Sequence, residues 1–249
     1  MTVTLAPSSH SSLSDAQLAV YADILSQAVT GELIGMANYA AMCQLFDDPE
    51  GQIDAVEHAF NERGHAEAFR GAARALGVTA IENLHAPYWN RIRQAFLGHV
   101  AGRDTIACLV IQEVMLESFA VSMYHAVADV APEPLRTIFR EIGDEEEGHV
   151  EHAIEELQDA LHADREGFEA KVEALHDEIM TTLAEMLGAK DTLPTCGLCH
   201  GECVKGSLPV VGLDRESMRG RALNNYLSIL DRIGVRGERS LAWVARLPM

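Results

Sequence analysis

Four stretches of the sequence set a carboxylate in the middle of an apolar run, and two of them add a histidine three residues later: Glu32, then Glu62 with His65, then Glu117, then Glu146 with His149. A lone ionised carboxylate buried away from water costs several kcal/mol or takes up a proton. Residues three apart on a helix project from one face, so each Glu-x-x-His can grip one metal ion. A single Glu-x-x-His in a Glu-rich chain is commonplace. Two of them, alternating with two single glutamates, form the ligand pattern of di-iron carboxylate bundles. In that pattern Glu62 and Glu146 bridge two ions, and Glu32 and Glu117 each bind one. Asp144, Glu145, Glu146 and Glu147 are consecutive, and the three-residue offset to His149 selects Glu146. Mixed carboxylate and imidazole ligation with open positions suits iron or manganese, and only a redox metal can reduce dioxygen. The expected cofactors are therefore two iron ions, with dioxygen as co-substrate.

A second group lies near the C-terminus, where Cys196-x-x-Cys199-His200 is followed by Cys203. Four soft ligands so close together leave three readings open: a small zinc site, a redox thiol pair or an ordinary loop. Covalent haem attachment to Cys-x-x-Cys-His normally needs export, and the N-terminus has neither the basic nor the apolar region of a signal peptide.

The elements that must position these groups are helices. Ser14 followed by Gln17 resembles a capping box, and from there apolar residues recur at helical spacing. The first helix runs to about Phe46 with an inward stripe of Leu25, Val29, Glu32, Met36, Tyr39, Cys43 and Phe46. Asp47, Asp48, Pro49 and Gly51 punctuate before a second helix, which Gly77 ends. A shorter helix from about Pro87 leads through Gly102 into the most apolar one, near Asp104 to Val130, and Pro132 and Pro134 open a fourth long helix carrying Glu146 and His149. A further helix reaches about Leu187. The expected organisation is a disordered arm over residues 1–13, an all-α, ferritin-like four-helix bundle with additional helices over 14–187, a Cys-rich loop over 188–213, and C-terminal helices over 214–249 that pack on the bundle.

Composition limits the partners. With 38 acidic against 19 basic residues the net charge is −19, which opposes binding to nucleic acid or anionic membranes. No window is expected to span a membrane. The reading is a cytoplasmic enzyme acting on a small molecule, with a homodimer left open.

At the ligand residues the sequence also resembles the aldehyde-deformylating oxygenases, which turn fatty aldehydes into alkanes and formate with a di-iron centre. Residues 31–46 (GELIGMANYAAMCQLF), 108–132 (CLVIQEVMLESFAVSMYHAVADVAP) and 145–157 (EEEGHVEHAIEEL) carry the likeness, which runs from about Ala28 to Leu157 and resumes weakly from Asn224. It implies iron ligation by Glu32, Glu62, His65, Glu117, Glu146 and His149, a polar network of Tyr39, Gln112 and Tyr124 beside the site, and an external electron donor such as a ferredoxin or flavin reductase. Three features depart from the family. Glu113 stands where a small residue is usual and could be an extra ligand, a proton relay or a contact for a polar substrate. Met36 and Val127 replace aromatics, and the Cys-rich insertion is unlike the family. Related di-iron oxygenases oxidise amines or hydrazines to hydroxylamine, nitro or azoxy groups, and a more polar pocket would suit them. The sequence expectation therefore leans to N-oxygenation, with aldehyde deformylation as the alternative and an iron-oxidising storage protein as the rival class. An apolar channel, hinted at by Val29, Met36, Tyr39, Phe119 and Tyr124, would argue against storage.

Overall fold

The computed structural model describes residues 13–188, 196–200 and 203–248, apart from the side chain of His152. The expected N-terminal arm, but for residue 13, lies outside the described residues, as do 189–195 and 201–202 of the Cys-rich segment. Among the described residues there are helices and short turns but no strand.

Helix α1 (Asp15–Met42) starts at Ser14, whose hydroxyl and Gln17 side chain form the reciprocal capping box, and runs into a 3₁₀ turn at Cys43–Leu45. Asp48 caps α2 (Pro49–Leu76), and Gly77 closes it at φ +72°, a left-handed conformation that favours a residue without Cβ. The connection through α3 (Pro87–Ala101) leads to α4 (Thr105–Val130), then α5 (Leu135–Ala163). Helix α6 occupies 165–188, and α7 (Arg215–Ile233) and α8 (Gly237–Val244) end the chain. The long helices α1, α2, α4 and α5 form the bundle; α1 packs on α2 along its length, α4 on α5, and α7 covers the outer side of α4.

Helix α4 differs from the sequence expectation in two ways. It is long and apolar enough to cross a membrane, at 26 residues and a mean hydropathy of 1.7, yet 78% of that window is buried inside the protein. Its apolarity reflects its place at the centre of the bundle. Its middle, Val110–Glu117, is also π-helical rather than α-helical. The Cys-rich segment, expected to lack periodicity, holds two 3₁₀ turns, Val204–Gly206 and Leu208–Val211, and both rest on α1.

The apolar interior has two parts. One is built by Val29, Phe69, Tyr124, Phe139 and Ile142 with their neighbours, the other by Ile34, Ile111, Leu116, Val150 and Leu157 with theirs. Each of α1, α4 and α5 contributes to both. Glu32, Glu117 and Glu146 fall between the two contributions of their helices, so a polar layer divides the core at mid-height.

The C-terminal helices are fastened at Glu169 on α6, which is buried and accepts hydrogen bonds from Arg236 and Arg239. Burial opposes the charge of Glu169, but the two guanidinium groups outweigh it and hold the carboxyl at about 2. A folded-state value below the unfolded one of about 4.3 means this contribution is present above pH ~4.3 and lost as pH falls toward 2. Glu169→Gln is therefore expected to lower Tm at pH 7, with the deficit relative to wild type shrinking as pH is lowered through that window; calorimetry at several pH values checks it.

Candidate metal centre

The members of the predicted ligand set all fall near the middle of their helices and meet at one level of the bundle. Glu32 projects from α1, Glu62 and His65 from α2, Glu117 from α4, and Glu146 and His149 from α5; all six are buried. They form two clusters of four, Glu32 with Glu62, His65 and Glu146, and Glu62 with Glu117, Glu146 and His149. Within each cluster one ligand atom from every residue lies within 4.8 Å of the others. Glu62 and Glu146 are common to both, the arrangement that bridging carboxylates require.

The donor atoms face inward. His65 Nδ1 lies 2.9 Å from Glu146 Oε1 and 3.2 Å from Glu32 Oε2, while its Nε2 lies 2.9 Å from Glu145 Oε2 on the outside. A proton on Nε2, held by Glu145, leaves the Nδ1 lone pair directed at the cluster. Glu145, which competed with Glu146 on the periodicity of the sequence, thus sits behind a ligand histidine. His149 Nδ1 is 2.8 Å from Glu146 Oε2, but neither atom has a hydrogen-bond partner, and Glu62 Oε1 is likewise buried and unpaired.

These orphaned atoms show that the residues fit a pair of metal ions. Burial, and next the neighbouring carboxylates, push Glu62 and Glu117 well above the ordinary carboxylate range; Glu146 is raised for the same reasons. Burial disfavours a charged His65, but its contacts with Glu146 and Glu32 prevail and push it up to about 11, whereas burial lowers His149. Protons and one imidazolium offset the charge here when no cation does; two divalent ions can replace them.

The π turn in α4 shapes the next set of contacts. In a π-helix residues five apart come into register. Gln112 Nε2 accordingly donates to Glu117 Oε1 at 2.9 Å, and Tyr39 Oη donates to the same oxygen at 3.2 Å. Asn38 Nδ2 donates to Gln112 Oε1 at 2.9 Å, and Arg93 donates to Asn38 Oδ1. Tyr124 Oη donates to Glu32 Oε1 through a short hydrogen bond. Both single glutamates are therefore oriented by phenols. Glu113, one turn before Glu117, is buried with Oε2 unpaired, and its carboxyl is raised by burial and by Glu117.

A cavity of about 170 Å³ opens beside the cluster. Glu32, Glu62, Glu117 and Glu146 form its polar end, and Trp89, Leu116, Phe119, Val127 and Phe139 are among its apolar walls. Of the residues expected to line a channel, Phe119 and Tyr124 do so, whereas Val29 and Tyr39 are in the packed core and Met36 is half-buried away from the wall. The spacing of an inward stripe does not distinguish residues facing a void from residues facing a neighbour. Glu113 is not part of the wall either.

The Cys-rich segment supplies one side of this cavity through Cys196, Cys199, Cys203 and Lys205. The zinc reading needs its four groups to converge, and they do not. The His200 ring and backbone N–H are both engaged by Asp23 Oδ1, at 2.8 and 2.9 Å, and no three of Cys196, Cys199, His200 and Cys203 reach common ligand distance. Cys196 and Cys199 alone come together.

Sequence reasoning missed Asn38, Arg93, Glu145 and Gly35. Asn38 offers a signal, an amide beside Tyr39 inside an apolar run; Gly35 follows Glu32 by three residues on the inward face. A Cβ on Gly35 would stand 2.8 Å from Glu62 Oε2, so the glycine is the space into which the bridging carboxylate fits.

A sequence profile of the long-chain fatty aldehyde decarbonylase family matches residues 14–193. Among solved structures, a Synechococcus protein described as having aldehyde deformylating oxidase activity superposes with a TM-score of 0.80 at 22% identity, over 94% of this chain and 98% of that one. At that identity the likeness speaks for the fold, which is ferritin-like.

Two outcomes follow from the site. Glu146→Gln relieves the repulsion in the layer, so it is expected to raise the Tm of metal-free protein while abolishing the further rise that ferrous iron gives wild type. Gly35→Ala is expected to keep the helical circular dichroism yet bind less than half the iron of wild type, as read by elemental analysis after anaerobic loading.

Proposed function

The chain belongs to the long-chain fatty aldehyde decarbonylase family, a family of ferritin-like di-iron oxygenases, and we propose that it deformylates an aldehyde with an apolar tail, releasing a hydrocarbon and formate. The observation that carries this reading is the cavity, whose apolar walls end at the four carboxylates. A cavity of about 150 Å³ already holds a benzene-sized apolar ligand, so the space suits an alkyl chain lying with its polar end toward the cluster.

In this proposal Glu32, Glu62, His65, Glu117, Glu146 and His149 hold two iron ions. Bound iron supplies the open coordination positions and the electrons that dioxygen chemistry requires. The rest falls to the protein. Tyr124 fixes Glu32; Tyr39 and Gln112 fix Glu117, with Asn38 and Arg93 bracing Gln112 from behind. Trp89, Phe119 and Phe139 exclude water and confine the substrate tail, which strengthens each electrostatic contact at the polar end. Glu113, raised by burial, is suited to keep a proton close to Glu117 and Tyr39. Electrons come from an external ferredoxin or flavin reductase, and the setting proposed is the cytoplasm.

The sequence leaned to N-oxygenation on the premise of a polar pocket in which Glu113 meets the substrate. That premise is not supported, because Glu113 lies off the cavity wall and the walls are mostly apolar. The family match supports the aldehyde alternative, and a cavity of this kind is not what an iron-storage protein needs.

Protein loaded anaerobically with ferrous iron is expected to hold about two irons per chain. With a reducing system and dioxygen it should convert fatty aldehydes to hydrocarbon and formate, leaving amines and hydrazines untouched. Turnover of a hydrazine or amine in preference to aldehydes would sink the reading, as would less than one iron per chain. Ala120→Phe, which fills part of the cavity wall, should shift the preferred aldehyde to a shorter chain, measured as a change in relative kcat/KM across a chain-length series.

A further inference from the structure

The Cys-rich segment walls one side of the cavity, but its thiols do no chemistry in the proposed oxygenation, and they are held in a defined place. The Asn83 amide donates to Gly197 O on one side, and Asp23 holds His200 on the other. The turn between these clamps sets Cys196 Sγ 3.2 Å from Cys199 Sγ. Both thiols are free, both are half-buried, and both residues belong to the wall of the cavity. The two sulfurs lie within hydrogen-bond reach of each other, and the Leu198 N–H donates to Cys196 Sγ at 3.5 Å. Lys205 adds a positive charge nearby.

We propose that Cys196 and Cys199 are a redox-active dithiol, a thiol–disulfide exchange site whose co-substrates are low-molecular-weight disulfides of the glutathione type. The proposal is independent of which substrate the metal centre oxidises. Cys196 is the attacking group. The hydrogen bond from Cys199 outweighs burial and, helped by the Leu198 N–H and Lys205, brings the Cys196 thiol down to about 6, while Cys199 is held above its usual value. The Cys196 thiolate attacks one sulfur of the small disulfide, its S–S bond breaks, and one small thiolate leaves. Cys199 then gives up its proton to that thiolate and attacks Cys196 Sγ, expelling the second small thiolate, which takes a proton from water. Two electrons pass from the protein thiols to the small disulfide, and the Cys196–Cys199 bond forms. The two sulfurs need approach by only about 1 Å to reach a disulfide bond length of roughly 2.05 Å.

The experiment uses the full chain, equilibrated in glutathione buffers from reducing to oxidising, quenched by alkylation and read by peptide mass spectrometry, with zinc measured in parallel. The expected result is an intramolecular Cys196–Cys199 disulfide that appears before Cys43 or Cys203 is modified and reverses in reducing buffer. Cys199→Ser should accumulate one glutathione adduct at Cys196, because nothing resolves it. Cys203→Ser should behave as wild type. A stable adduct at Cys196 in wild type, preferential modification of Cys43 or Cys203, or stoichiometric zinc that protects the pair would each overturn the proposal.

Discussion

Four carboxylates and two imidazoles share one buried layer, and the rest of the bundle is arranged around that electrostatic problem. Apolar residues above and below the layer supply the burial that holds the helices together, but they cannot pair the charges. Protons are a poor solution, because they relieve the repulsion yet leave Glu62 Oε1, Glu146 Oε2 and His149 Nδ1 buried without partners. A pair of divalent cations is a better one. The two clusters meeting at Glu62 and Glu146 provide two positions with common ligands, and the unpaired atoms of Glu62, Glu146 and His149 are the ones such ions would engage.

Holding those ligands still requires contacts that would be wasteful elsewhere. Phenols at Tyr39 and Tyr124 are spent on Glu117 and Glu32, and the chain from Arg93 through Asn38 to Gln112 reaches the layer from α3. Gly35 gives up a side chain so that α1 and Glu62 can approach. Such positions trade stability for a fixed geometry, which a binding or catalytic site needs and a scaffold does not.

Much of this was legible from residue types and spacing. The bundle follows from helical periodicity with well-marked ends, as at Ser14, Asp48 and Gly77, whose side-chain chemistry is local. The ligand residues stand out because a glutamate inside an apolar stripe contradicts its surroundings. Glu145 and the cavity wall were not legible, for a common reason. Periodicity says that a residue points inward, not whether it meets a ligand, a void or another side chain. Glu145 and Glu146 differ by one step of a helix, and only the packing of α2 against α5 decides that one faces the layer and the other the back of His65. The cysteine cluster illustrates the converse. Its spacing admitted zinc, whereas long-range contact with Asp23 on α1 removes His200 from any such group.

The wide turn in α4 amounts to one residue more than an α-helix would need over the same rise, and its effect is carried to the end of the helix. Were the same eight residues wound as an ordinary α-helix, everything beyond them would be rotated by about 100°. Tyr124 would swing away from Glu32, and Val127 would leave the cavity, although neither lies in the altered stretch. The π segment thus acts as a phase setting: it carries Glu113 and Glu117 itself and aims the half of α4 after it at Glu32 and the cavity wall. A one-residue deletion within the wide turn would undo the Gln112–Glu117 contact yet leave the far half of α4 in phase, whereas the same deletion between it and Tyr124 would turn the phenol away from Glu32.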